Sequence, residues 1–171
     1  PLTSPPYLIK KGVCMKANVI KWLTNRGYSG PSFERISRGG AYNWKYDKVY
    51  ADNNIGTLMH ELAHSTGHDT RLSRSMKNSA CTFIDPMIFG FPKAVVKEES
   101  VAILSTFFLL LWFHVTNRKC YKSMRISMKC YGVNISRLLT WDCIRASIKA
   151  SVYVIRNYFK GGTANEVRCN G

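Results

Sequence analysis

The residues best suited to chemistry lie in one run, Thr57 to Arg74, which reads TLMHELAHSTGHDTRLSR. Within it His60, Glu61 and His64 form the pattern H-E-x-x-H. Positions i and i+4 of an α-helix share a face, so both imidazoles can reach one ion. Zinc takes imidazole and carboxylate ligands, and a catalytic zinc keeps three protein ligands plus a place for water. Glu61 stands beside the two ligands as the general base for that water, whose pKa the ion lowers to about 7. The competing reading is two core histidines next to a solvated glutamate. The helix start before the motif, the glycine after it and the polar surroundings weigh against that reading.

A third ligand must come from elsewhere. A metzincin would carry a histidine at position 70, where this chain has Thr70. His68 lies four residues beyond His64, but Gly67 is expected to end the helix between them, so His68 is expected to support the site rather than bind the ion. Glu98 and Glu99 open an apolar segment, and a carboxylate from a second helix is the usual completion of a two-His-one-Glu site. Glu99 is the first choice and Glu98 the runner-up. The one left over is expected to be an acid favoured by the helix dipole.

Several elements must hold these residues. A helix from about Ile55, capped by Asn53 or Asn54 and stopped at Gly67, carries the motif with Leu58, Met59 and Leu62 on its apolar side. Before it, the even spacing of Tyr42, Trp44, Tyr46 and Tyr50 after Gly39-Gly40 signals a strand with room for a hairpin. A short helix is expected from about Lys16 to Arg26, and residues 70–92 read as a long connection. The segment Val101 to Val115 is nearly all apolar, but its 15 residues fall short of the roughly 20 that span a bilayer. It reads as a buried helix directly after the two glutamates. Next, Arg118, Lys122, Arg125 and Lys129 recur at helical steps and predict one positively charged face. A last helix is expected from Ile135 to Phe159. Its core side would be Trp141, Ile144, Ile148, Val152, Ile155 and Phe159, flanked by a basic stripe of Arg145, Lys149, Arg156 and Lys160.

With 171 residues, 46% of them hydrophobic, the chain has the size of one globular domain. Its formal charge of +15 is uneven, with 14 Lys/Arg against 8 acids in residues 1–100 and 11 against 2 in residues 101–171. That excess points to acidic partners such as nucleic acid or an anionic surface, or to a solvated basic face. The six cysteines are widely spaced with no C-x-x-C pair, which suits reduced thiols. The opening PLTSPPYLIKKG has no apolar stretch of signal-peptide length, and a cytoplasmic setting is expected.

The run TLMHELAHSTGHDTRLSR is similar to the zincin-like C-terminal domain of ArdC-type antirestriction proteins, plasmid TraC primases and phage polyvalent proteins. The resemblance extends to Gly40, Ala41, Tyr42, Asp47, Lys48 and Val49 before the motif and to Glu98, Glu99, Ser100, Val101, Ala102 and Ile103 after it. Asn134, Ile135 and Trp141 echo a final helix. The resemblance implies a gluzincin-like site with His60, His64 and Glu99 on zinc and Glu61 as base. Two departures accompany it. Ile103 stands where the family carries an acid that could orient a ligand, and residues 1–35 are too few for the family's single-stranded-DNA-binding domain.

The expected fold is α+β and zincin-like, with a small antiparallel sheet beside the motif helix and a helical C-terminal half. Residues 1–35 are expected as an extension, 36–160 as the domain and 161–171 as a tail. Two functions are carried forward. One is a zinc metallopeptidase acting on a protein or peptide, in antirestriction or mobile-element transfer. The other is a basic module that contacts single-stranded DNA or a protein through Arg118, Lys122, Arg125 and Lys129, with a structural metal. No membrane association is expected.

Overall fold

A computed structural model of the chain describes residues 19–74, 93–115 and 118–159. Most of the expected connection, residues 75–92, and the expected helix start before Val19 lie outside them.

The described chain is α+β. Helix α1 (Val19–Thr24) ends where Gly27 takes a left-handed φ of 58°, followed by strands β1 (Ser32–Arg35), β2 (Gly40–Asn43) and β3 (Lys48–Ala51). Helix α2 (Ile55–Ser65) carries the H-E-x-x-H motif. Helices α3 (Lys93–Trp112), α4 (Arg118–Cys130), α5 (Ile135–Leu138) and α6 (Trp141–Tyr158) complete the described chain.

The sheet is mixed, with strand order β1-β3-β2, where a purely antiparallel one was expected. The aromatic spacing marks strands only in part: Tyr42 and Tyr50 lie on β2 and β3, which pair antiparallel with Tyr42 opposite Val49, whereas Trp44 and Tyr46 lie in the turn between them. The hairpin then presents β3, not β2, to β1, so β1 and β3 run parallel with Phe33 opposite Val49. Gly39, at φ 77°, and the paired bonds between Gly39 and Asp52 set the entry to that hairpin. Val49 and Ala51 alternate inward along β3 and meet Leu58, Met59 and Leu62 of α2 in one core. Trp22 of α1 joins that core edge-to-face against Phe113 and Phe159, so α1 belongs to the same packed body.

Helix α2 starts as its sequence suggests, with the Asn54 side chain accepting from the Gly56 amide at 2.9 Å. Its end differs. The last helical residue is Ser65, Thr66 caps it in the right-handed region, and Gly67 is not among the left-handed glycines.

Helix α3 begins at Lys93, two turns before the apolar run, so Glu98 and Glu99 lie inside the helix and the first turn holds no acid. No helix among the described residues is long and apolar enough to cross a membrane.

The expected helix Ile135 to Phe159 is two helices, because Thr140 is extended and its hydroxyl caps α6 by accepting from the Cys143 amide. Its expected core side is also revised. Trp141 is 73% exposed and Ile148 48%, whereas Cys143, Ser147, Ala150, Ser151 and Val154 are buried. Serine hydroxyls explain the choice. Ser147 donates to the Val101 carbonyl at 3.2 Å, Ser105 to the Ser147 carbonyl at 3.3 Å and Ser151 to the Ser105 carbonyl at 3.4 Å. These contacts step forward together along both chains, so α3 and α6 lie parallel, and small side chains let their backbones approach.

Candidate metal centre

The motif helix and α3 face each other, and their polar residues converge at one point. His60 and His64 stand one turn apart on α2 with their Nε2 atoms 3.1 Å from each other. Glu99 of α3 completes a triangle, with Oε2 at 3.2 Å from His60 Nε2 and Oε1 at 3.4 Å from His64 Nε2. Ligand atoms about 2.0–2.1 Å from a tetrahedral zinc would be separated from one another by about 3.3 Å. The three contacts are close to that separation, with Glu99 reaching the two imidazoles through its two different oxygens. Among the described residues His60, His64 and Glu99 form a group that could hold a metal ion.

The centre is enclosed and under-satisfied. Glu61, His64 and Glu99 are all buried. His64 Nδ1 and Glu99 Oε2 are buried with no hydrogen-bond partner, although each has an oppositely polarised neighbour at longer range. An unpartnered buried carboxylate oxygen costs free energy unless a cation or donor meets it. A cation inside the triangle satisfies it, so the residues present fit a bound divalent metal.

The electrostatics follow from burial and charge. Burial alone would raise the pKa of Glu99, but the His64 and His60 imidazoles outweigh it and hold the carboxyl well below the usual range. Burial would lower the pKa of His64, yet the Glu99 and Glu98 carboxylates push it well above the ordinary histidine value. Glu61 is pushed upward, chiefly by its own burial, with the two imidazoles opposing. A carboxylate raised in this way is closer to the range in which it can both take and return a proton at neutral pH.

Glu61 borders a cleft of about 180 Å³ that is also lined by Gly40, Thr57, His60, Thr106 and Tyr131. Gly40 allows a close approach there. A Cβ at that position would lie 2.5 Å from Thr57 Cγ2 and 2.8 Å from Glu61 Oε1, so strand β2 sits directly on the motif helix.

Of the other residues expected at the site, Glu98 is close but otherwise engaged. It receives a forked pair from Arg74, Nε to Oε2 at 3.1 Å and Nη2 to Oε1 at 2.7 Å. Its Oε1 lies 3.5 Å from His64 Nδ1, on the side away from the triangle. The ring of His68 points to Thr70 at 2.8 Å and stacks on Trp44 with centroids 5.2 Å apart. Ile103 is buried beside Val96 and Val133. Arg118, Lys122, Arg125 and Lys129 are exposed on α4, as the spacing predicts.

Sequence reasoning assigned no role to Arg71 or Arg74, and read Gly40 only as part of a turn. Arg71 donates to the Ser65 carbonyl at 2.8 Å, to Tyr42 Oη at 3.3 Å and to Asp47. Arg74 donates to the Ala63 carbonyl at 2.8 Å and to Thr66 Oγ1 at 2.7 Å as well as to Glu98. A readable signal existed, because cations just past a helix C-terminus meet its orphan carbonyls.

No family model, curated protein or solved structure matches this chain.

Proposed function

We propose that the chain is a zincin-type metallopeptidase domain of the gluzincin kind, with zinc held by His60, His64 and Glu99 and with Glu61 as general base. The observation that carries this reading is the convergence of His60, His64 and Glu99 from two separate helices, with one ligand atom of each within 4.8 Å of the others and nitrogen–nitrogen and nitrogen–oxygen contacts of 3.1, 3.2 and 3.4 Å. The resemblance of Thr57 to Arg74 to the ArdC-type proteins supports the same reading and points to antirestriction or mobile-element transfer.

When bound, the ion supplies Lewis acidity toward a peptide carbonyl and an acidified water. The chain's own residues do the rest. Glu61, at the cleft wall, takes a proton from the attacking water and returns it to the leaving amine. Gly40 leaves room for β2 to border the cleft against Glu61. The substrate is a protein or peptide, and no helix among the described residues suits a membrane-spanning enzyme.

The test is zinc content per chain, by atomic emission, for the wild type beside His64→Ala and Glu99→Ala. About one zinc per wild-type chain, lost in both variants, supports the site. A zinc-free wild type after refolding with zinc sinks it. Turnover is then sought on a casein or peptide-library substrate with Glu61→Gln as the inactive control.

A second reading is favoured by one feature, the four exposed cations Arg118, Lys122, Arg125 and Lys129 at helical spacing on α4. In it the chain grips single-stranded DNA through phosphates and the metal is structural. Affinity for an oligonucleotide would then fall steeply with salt, by about 0.7 log units per log unit of salt for each phosphate neutralised. A flat response removes it.

A further inference from the structure

We propose that Glu98 is a positioning residue for His64, held in place by Arg74, and that it is a hydrogen-bond acceptor for the ring rather than a metal ligand. The inference rests on the reading of His60, His64 and Glu99 as a metal site.

His64 turns Nε2 toward His60 Nε2 and Glu99, at 3.1 and 3.4 Å, so Nε2 is the atom offered to an ion. An imidazole that gives its Nε2 lone pair to a metal carries its proton on Nδ1. That Nδ1 is buried with no hydrogen-bond partner, and the nearest carboxylate oxygen is Glu98 Oε1 at 3.5 Å. A buried N–H left without an acceptor is costly, and a short movement of either side chain brings Glu98 into range. Ligating histidines generally donate their second ring N–H to a carboxylate or carbonyl, which fixes the ring and raises its basicity.

Arg74 explains why Glu98 fills this role and Glu99 does not. Both oxygens of Glu98 already accept from Arg74, at 3.1 and 2.7 Å, so its charge is compensated inside the protein. Arg74 is itself fixed on α2 by the Ala63 carbonyl and Thr66 Oγ1. The chain of contacts starts on α2, crosses to α3 and returns to the ring of His64. Among the described residues Glu99 pairs only with His60 and His64, and its Oε2 has no hydrogen-bond partner, as suits a ligand oxygen. Ile103, one turn beyond Glu99, is buried among apolar side chains, and Glu98 supplies the carboxylate beside His64 Nδ1.

The experiment measures zinc affinity of the full chain by competition with a chromophoric chelator, for the wild type, Glu98→Ala, Glu98→Gln and Arg74→Lys. It also follows the His64 Nδ1–H proton of the zinc-loaded protein by NMR. Loss of a residue that orients a ligand weakens metal binding by about 10–100-fold. That loss is expected in Glu98→Ala, with a smaller one in Arg74→Lys, together with an upfield shift and faster solvent exchange of the His64 Nδ1–H signal. The corresponding signal of His60 should stay in place, which a general loosening of the fold would not allow. If Glu98→Ala fails to fold, Glu98→Gln keeps the shape and removes the charge, and the same two readouts apply. Unchanged affinity and an unmoved His64 signal in a folded variant overturn the proposal and leave Glu98 as the partner of Arg74 alone. A wild type that binds no zinc overturns the metal reading, and this inference with it.

Discussion

Two polar clusters lie close together around helix α2, and they differ in one respect. In the cluster of Arg71, Asp47, Tyr42 and Ser65, every polar group named has a partner. Arg71 reaches Asp47, Tyr42 and the Ser65 carbonyl, Tyr42 donates to Asp47 at 2.7 Å, and the guanidinium lies over the Tyr158 ring at 5.5 Å. In the cluster of His60, His64 and Glu99, His64 Nδ1 and Glu99 Oε2 are buried without hydrogen bonds. A closed network holds a fold together, and a network left open inside a protein leaves room for a ligand. The two clusters therefore predict opposite phenotypes.

The largest effect should come from the open cluster. His64→Ala is expected to remove zinc entirely while leaving the zinc-free melting temperature close to that of the wild type, as read by metal analysis and circular dichroism. A zinc-free melting temperature that collapses would make the histidines part of the packing instead. Next, Glu61→Gln should keep zinc and lower turnover by about 10²–10⁴-fold, in the range of general-base catalysis. Wild-type turnover in that variant would remove Glu61 from the mechanism.

The closed cluster should show the reverse. Arg71→Met removes one donor each from Asp47, Tyr42 and the Ser65 carbonyl, and is expected to destabilise the fold by about 1–3 kcal/mol in urea titration, with zinc still bound by the folded fraction. Gly40→Ala probes the contact between β2 and the open cluster. Overpacking against Thr57 and Glu61 is expected to cost about 1–3 kcal/mol and to lower turnover more than zinc content.

The smallest effect concerns acidity at Asp47. Burial would raise its pKa, but bonds from Arg71 and Tyr42 outweigh this and hold it below the usual aspartate value. A depressed pKa stabilises the fold above the unfolded value of about 3.9, and the contribution fades as pH falls below it. Because the side chain is 39% exposed, less than about 1 kcal/mol is expected. Asp47→Asn should flatten the stability curve below pH 4, and an unchanged curve would show that the pair contributes nothing there.

The motif helix was legible because its signals are local. An Asn cap, two histidines one turn apart and apolar residues at helical spacing all lie within about a dozen positions, and Glu99 followed from the chemistry that two histidines leave unfinished. The hairpin was legible only in part, because the even aromatic spacing runs on through Trp44 and Tyr46, which form its turn. The parallel pairing of β1 was not, because nothing in residues 32–35 says which hairpin strand will meet them. Nor was the inner face of α6 legible. Apolar periodicity favoured Trp141 and Ile148, whereas close parallel packing against α3 selected Ser147, Ala150 and Ser151. The roles of Arg71 and Arg74 escaped because their partners Asp47 and Glu98 each lie 24 residues away in sequence.

Those two arginines have a mechanical consequence. Each grips a carbonyl at the end of α2, Ser65 for Arg71 and Ala63 for Arg74, and each extends its other donors to a carboxylate of a different element. One reaches Asp47, next to β3, and the other reaches Glu98 on α3. Four residues of chain thus act as a tie bar between the sheet and the helix that supplies Glu99. Strain applied to the hairpin is carried by rigid guanidinium forks toward the third corner of the triangle, and a cut through this short stretch would let the two halves of the site drift apart.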